Sequence, residues 1–167
     1  MKRLIVFISS LLFIYTSGRT QPSEGSEQFQ QEMEKVKQVL ESYKTSINMA
    51  DTTLASTFWL TTDQSSFIHP RSHEVGWENI KSGIYGMFGS RFTVRDLKSY
   101  NESFQLFGDM AVVTFYWIFD ATYSGENPSD MQTRGRETMV MKKIGGIWKI
   151  VHIHYSSMPV TGDRQGF

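Results

Sequence analysis

Phe29, Met33, Val36, Val39, Leu40, Tyr43 and Ile47 recur at intervals of three and four, which predicts one amphipathic helix over about Glu27 to Met49, with Ser26 as its N-cap. Asp51 stands where a second helix would begin, with Leu54, Ala55, Phe58 and Trp59 as its apolar side; Thr61-Thr62-Asp63 then breaks the pattern. Ser66-Phe67-Ile68-His69 reads as a short strand stopped by Pro70, because proline donates nothing to a ladder. Gly76 to Phe88 reads as a third helix, weakened by Gly83 and Gly86. From Phe92 the period changes to two. Four strands follow, Phe92 to Leu106, Met110 to Tyr123, Gln132 to Ile144 and Trp148 to Met158, with Gly108-Asp109 and Gly145-Gly146 as tight turns.

Helices first and an antiparallel meander afterwards define an α+β class. Strands this long, rich in Val, Ile, Phe, Tyr and Trp, predict a strongly curved sheet with the helices on its concave face. In the second long strand both alternating sets are largely apolar: Met110, Val112, Tyr116 and Ile118 on one side, Val113, Phe115, Trp117 and Phe119 on the other. A sheet with one solvated face does not look like this. A second copy of the chain is the simplest cover for the outer face, and a second sheet or terminal segment the alternative.

The amino terminus adds a separate expectation. Met1-Lys2-Arg3 followed by the apolar run Leu4 to Tyr15 is a signal-peptide pattern, too short to cross a bilayer, with cleavage near Gly18 or Thr20; an uncleaved anchor is the alternative. This divides the chain into a signal peptide at 1–20, a linker at 21–26, a domain at 27–160 and a tail at 161–167, in a periplasmic or secreted protein. Without residues 1–20, 14 bases face 17 acids, and no Lys/Arg cluster offers nucleic acid or anionic lipid a footprint. The chain has no cysteine, so no disulfide or lipid anchor supports it and stability must come from a packed core.

Three stretches then stand together: Asn48-Met49-Ala50-Asp51 at a helix end, Phe67-Ile68-His69-Pro70 ahead of Gly76-Trp77-Glu78-Asn79-Ile80, and a closing hairpin from Gly135-Arg136-Glu137-Thr138 to Gly146 through Ser156. They resemble the SnoaL-like branch of the nuclear transport factor 2-like superfamily, which includes ketosteroid isomerases; the hairpin also looks like the end of the association domain of calcium/calmodulin-dependent kinases. The resemblance covers about Glu27 to Pro159. It implies a cone-shaped α+β fold, with three N-terminal helices packed on the concave face of a curved antiparallel sheet, a pocket between them, and homodimerisation through the outer sheet face.

On strict alternation Trp148, Ile150, His152, His154 and Ser156 share one face of the last strand, and Arg134, Arg136, Thr138 and Val140 one face of the strand before it. The SnoaL-like pattern implies that Arg136 and His154 point into the cone. That would suit an anionic or carbonyl-bearing ligand, with His152, Thr138, Trp59 and Trp77 as further binding residues. Arg136 paired with a buried acid and His154 as a core histidine is the competing reading. Similarity to the isomerases places His69 where a catalytic carboxylate stands before a proline, and Tyr43 where a tyrosine donates to the substrate. Tyr43 also lies on the apolar stripe of its helix and reads equally as core. The strand position at which those isomerases hold a protonated aspartate falls near Thr138 to Val140, where no carboxylate stands, and this argues against steroid-type isomerisation.

His152-x-His154 with His69 or His73 lacks the carboxylates or cysteines of a usual metal site, and no cofactor motif appears, so neither a metal nor a cofactor is expected. The first reading is binding of a small, partly apolar ligand by a homodimer; the alternatives are a proton-transfer enzyme with His69 or His154 as base and Tyr43 or Arg136 stabilising the oxyanion, and a structural or assembly module.

Overall fold

A computed structural model describes Ser23 and residues 25–158; the expected signal peptide, half of the linker and the tail lie outside the described residues. Helix α1 (Glu27–Met49) starts where Ser26 Oγ accepts a hydrogen bond from the Phe29 amide at 3.1 Å. It buries Val36, Leu40, Tyr43 and Ile47 against the sheet, each side chain contributing on the order of 2 kcal/mol of transfer free energy. Ala50 closes it in the left-handed region at φ 51°. Asp51 Oδ1 then accepts from the Thr53 and Leu54 amides at 2.8 and 2.9 Å, opening α2 (Thr52–Phe58).

The expected strand is β1 (Ser66–His69). Pro70 ends it as expected, but the chain turns back into an unforeseen second strand, β2 (Ser72–Val75). The third helical stretch is continuous and mixed: α3 (Trp77–Ile80), a π-helical turn (Lys81–Gly86) holding both suspect glycines, and α4 (Met87–Arg91). Strands β3 (Phe92–Phe107), β4 (Met110–Tyr123), β5 (Asp130–Ile144) and β6 (Ile147–Ser157) match the four expected within two residues at each end.

The sheet order is β2-β1-β6-β5-β4-β3. All neighbours are antiparallel except β1 and β6, which run parallel, so the sheet is mixed rather than wholly antiparallel. β6 adds alongside β1 after the intervening meander, with Ser66 opposite His152 and Ile68 opposite His154. Register shifts at Phe92/Val94 and Tyr100/Ser103 bend β3, and a third separates Val140 from Met141 against β6. The result is an open, curved sheet with the helices on its concave side.

Between α1, α2 and the third helix lies a buried polar knot. Trp59 Nε1 donates to the Tyr85 hydroxyl at 3.1 Å, and that hydroxyl lies 3.0 Å from Ser46 Oγ, which donates to the Tyr43 carbonyl at 2.8 Å. Every polar atom there has a partner, which ties three helical segments together at no desolvation penalty.

Candidate functional site

The concave face of the sheet carries Val113, Phe115, Trp117, Phe119 and Ala121 from β4, and Gly135, Glu137, Met139 and Met141 from β5. On β6 the inward set begins as Trp148 and Ile150 and continues as Ile153 and Tyr155. The change of parity falls at Val151: Val140 faces His152 while Met141 faces Ile150, so β6 holds one extra residue there.

That single residue corrects the expectation for the last strand. His152 and His154 stand on the outer face with Thr138, Val140 and Arg136, to which the ladder pairs them and Ser156. Arg136 and His154 are exposed, and Arg136 donates from Nε to Ser156 Oγ at 3.2 Å. None of Arg136, Thr138, His152 and His154 lines the cone. His152 is half-buried there, its pKa lowered by desolvation and by the neighbouring His154 and His73. Trp59 and Trp77 are also away from the cavity: their rings pack together, centroids 6.3 Å apart, and Trp59 is committed to Tyr85. Among the described residues no group of three potential metal ligands lies close enough to hold an ion.

The other two expected residues, His69 and Tyr43, do meet in one place. A cavity of about 290 Å³ opens between the helices and the concave face. Ile47, Phe67, Phe88, Phe92, Leu97 and Phe119 supply apolar wall, while Tyr43, His69, Tyr155 and Glu137 bring polar atoms to it.

Glu137 is the residue that sequence reasoning missed. It sits one position before the Thr138 to Val140 stretch, and strict alternation with Gly135, Met139 and Met141 puts it on the inner face. That alternation was the available signal. The carboxyl is buried, and burial pushes its pKa up to about 8 against the opposing effect of a hydrogen bond from Tyr43. It therefore holds its proton at neutral pH. The Tyr43 hydroxyl is raised as well, by burial first and then by the charge of Glu137. Glu137 Oε1 and Trp117 Nε1 are buried without a hydrogen-bond partner among the described residues. An orphaned buried polar atom costs about 1–3 kcal/mol, so two of them at one cavity mark it as built for something other than its own stability.

His69 is held from three sides. Its Nε2 lies 3.4 Å from Glu74 Oε1 on β2, its ring stacks on Tyr155 with centroids 5.9 Å apart and planes 16° from parallel, and Phe67 meets its edge. The β1–β2 hairpin thus supplies both the imidazole and its carboxylate partner. Tyr155 in turn contacts Trp117 edge-on at 5.7 Å, linking the histidine to the floor of the cavity.

A helix-covered, curved open sheet with a cavity on its concave side and polar groups at its base is the α+β cone of the nuclear transport factor 2-like superfamily. The SnoaL-like domain profile matches residues 36–161, and the chain belongs to that family. A nuclear transport factor 2-like superfamily protein from Salmonella enterica subsp. enterica serovar Typhimurium str. LT2 is 35% identical over 83% of this chain and 99% of its own, with a TM-score of 0.79. A candidate scytalone dehydratase from Novosphingobium aromaticivorans DSM 12444 shares the fold at 17% identity, covering 83% of this chain and 91% of its own, TM-score 0.68. So does a candidate dehydratase of the same superfamily from Streptomyces avermitilis, at 15% identity over 78% of this chain and 99% of its own, TM-score 0.69. Among curated proteins none matches the chain.

Proposed function

We propose that the cavity is the active site of a proton-transfer enzyme of isomerase or dehydratase type, acting on a small, largely apolar carbonyl compound. The observation that carries this reading is Glu137: a carboxyl that keeps its proton at neutral pH, with one oxygen left unpartnered inside an apolar cavity. Tyr43 donates to the carboxyl, and the Glu137 O–H is left to donate to a carbonyl oxygen, a chain in which each bond polarises the next.

His69 is the base. With Nε2–H directed at Glu74, Nδ1, which has no hydrogen-bond partner among the described residues, takes the proton from the carbon beside the carbonyl. The resulting enolate oxygen is stabilised by Glu137 and Tyr43. Return of the proton at another carbon gives isomerisation, and expulsion of a β-hydroxyl gives dehydration. The dehydratase-like neighbours support the reaction class only as a fold-level analogy.

Deuterium uptake at the α-carbons of 2-tetralone in D2O, followed by NMR, tests the proposal. The protein should accelerate exchange, and His69→Ala should reduce it roughly 100-fold. If 2-tetralone binds but exchanges at the buffer rate, the cavity is a ligand-binding site and the enzymatic reading fails.

We further propose that the protein is exported and works as a homodimer. The charged start and short apolar run at residues 1–20 support export, and a mature amino terminus near residue 19 or 21 in protein recovered from its own host would test it. Half-buried Ile68, Val112, Tyr116, Ile118 and Val140 on the outer face support a second copy there; sedimentation of Ile118→Glu as a monomer would agree, and a monomeric parent protein would not.

A further inference from the structure

Arg71 and Arg91 both line the cavity, Arg71 from the β1–β2 turn and Arg91 from the end of α4. Among the described residues the carboxylates in ion pairs are matched by lysines or by His69, and none is matched by an arginine. Arg134 lines the cavity too, and it and the nearby Arg95 have side-chain or backbone partners. Arg95 donates to the Asn48, Phe88 and Phe92 carbonyls, and Arg134 to Gln132. Arg91 instead lies over aromatic rings of the cavity wall, 5.4 Å from the Tyr123 centroid and 5.9 Å from that of Phe92. Arg71 acts electrostatically on Tyr155, another wall residue. The one carboxyl in the cavity is Glu137, which is neutral at pH 7. Three guanidinium charges therefore line the cavity with no carboxylate paired to them among the described residues, and of the three only Arg134 is held by a side-chain hydrogen bond.

We propose that Arg71 and Arg91 form a carboxylate-binding mouth to the cavity, so that the ligand is an amphipathic acid whose apolar body fills the cone and whose carboxylate stays at the rim. This rests on the reading above for the ligand's reacting end and adds its charged end. The guanidinium fork matches a carboxylate in two parallel bonds, and stacking on Tyr123 and Phe92 fixes where the Arg91 fork lies. The same cationic wall disfavours amines. A cavity about twice the size of one that accepts benzene suits a body of one or two rings.

The experiment compares 2-naphthoate with its neutral isostere 2-naphthamide by isothermal titration calorimetry at low salt. The naphthoate should bind at least about tenfold more tightly, and the preference should shrink as salt rises. In the Arg71→Gln/Arg91→Gln double variant the preference should fall below about twofold, and a cooperative thermal melt matching that of the parent shows that the variant is folded. Equal binding of the two probes, a preference that survives in the double variant, or failure of both probes to bind overturns the proposal. Preference without any α-proton exchange on 2-tetralone would sink the enzymatic reading and leave the carboxylate mouth standing; exchange without preference would do the reverse.

Discussion

Glu74 Oε1 lies 3.4 Å from His69 Nε2, and the Glu74 carboxylate occupies space that exists because residue 83 is glycine. A Cβ at 83 would stand 2.7 Å from Glu74 Cδ and 3.0 Å from each carboxylate oxygen. The π-helical turn that carries Gly83 thus cradles the partner of the proposed base. Glu74 is a flexible side chain, so it can swing away. Gly83→Ala should therefore fold with stability within about 1 kcal/mol of the parent, since alanine favours the helix, yet lose roughly tenfold in α-proton exchange. Thermal melts and NMR exchange rates check the two halves separately. An unchanged rate would mean that Glu74 does not orient His69.

Glu137 makes the fold pH-dependent in an unusual direction. Burial raises its pKa to about 8 from an ordinary 4.5. The folded chain therefore keeps a proton that the unfolded chain releases between those values. The group's contribution is fully present below about pH 4.5 and is lost as pH rises toward 8. Glu137→Gln removes that loss. By linkage the variant should be more stable than the parent at pH 8 by a few kcal/mol and similar at pH 4.5. Urea unfolding at the two pH values checks this, and parallel pH slopes for both proteins would contradict a buried neutral carboxyl. Glutamine keeps an N–H donor, so exchange activity should fall less in Glu137→Gln than in Glu137→Ala.

How far the sequence could be read follows from where periodicity was unbroken. α1, β1, β4 and the ends of β3, β5 and β6 follow from patterns of 3.6 or 2 that run without interruption over their length. In the last strand parity fails at one residue. Val151 is an ordinary β-branched strand former, nothing local marks it as the extra residue of a bulge, and every side chain beyond it changes face. This is why His152 and His154 were expected in the cone and why Ile153 and Tyr155 occupy it. Arg136 faces outward for a different reason. β5 has no shift before Val140, and its own alternation of Gly135, Glu137, Met139 and Met141 against Arg134, Arg136 and Thr138 already favours the apolar set as inward. The family pattern displaced the simpler rule, and Glu137 was lost with it. The parallel pairing of β1 with β6 depends on contacts 86 residues apart, which no local pattern encodes.

A second pH effect runs the ordinary way. Glu32 on α1 receives Lys143 Nζ at 2.7 Å and Trp148 Nε1 at 2.8 Å on Oε2, and Lys35 Nζ at 2.9 Å on Oε1, which fastens the helix to the β5–β6 hairpin. Desolvation opposes ionisation, but the three hydrogen bonds win and hold the pKa down to about 2. The contribution is present above about pH 4.5 and is lost as pH falls toward 2. Glu32→Gln keeps the shape and removes the charge, so it should cost about 1–2 kcal/mol at pH 7, less at pH 3, and little at pH 2. Urea midpoints across that range check it, and a cost independent of pH would assign the effect to packing instead.

Gly135 lies opposite Trp117 in the β4–β5 ladder. A Cβ at 135 would come 2.1 Å from the Ser156 carbonyl oxygen and 2.5 Å from Trp117 Cζ2. One neighbour is a side chain and the other is backbone of the adjacent strand, and the difference is testable. Gly135→Ala should cost about 3 kcal/mol or more, at the upper end for overpacking. Shrinking the indole in Gly135→Ala/Trp117→Phe relieves the aromatic contact only. The carbonyl cannot move without pulling β6 from its register with β5, so the double variant should recover little of that cost. Recovery to near the Trp117→Phe single variant, measured by urea unfolding, would mean that the glycine is there to seat the indole alone. Persistence of the cost would assign it to the strand pairing that sets Glu137 and Tyr155 side by side on the cavity floor.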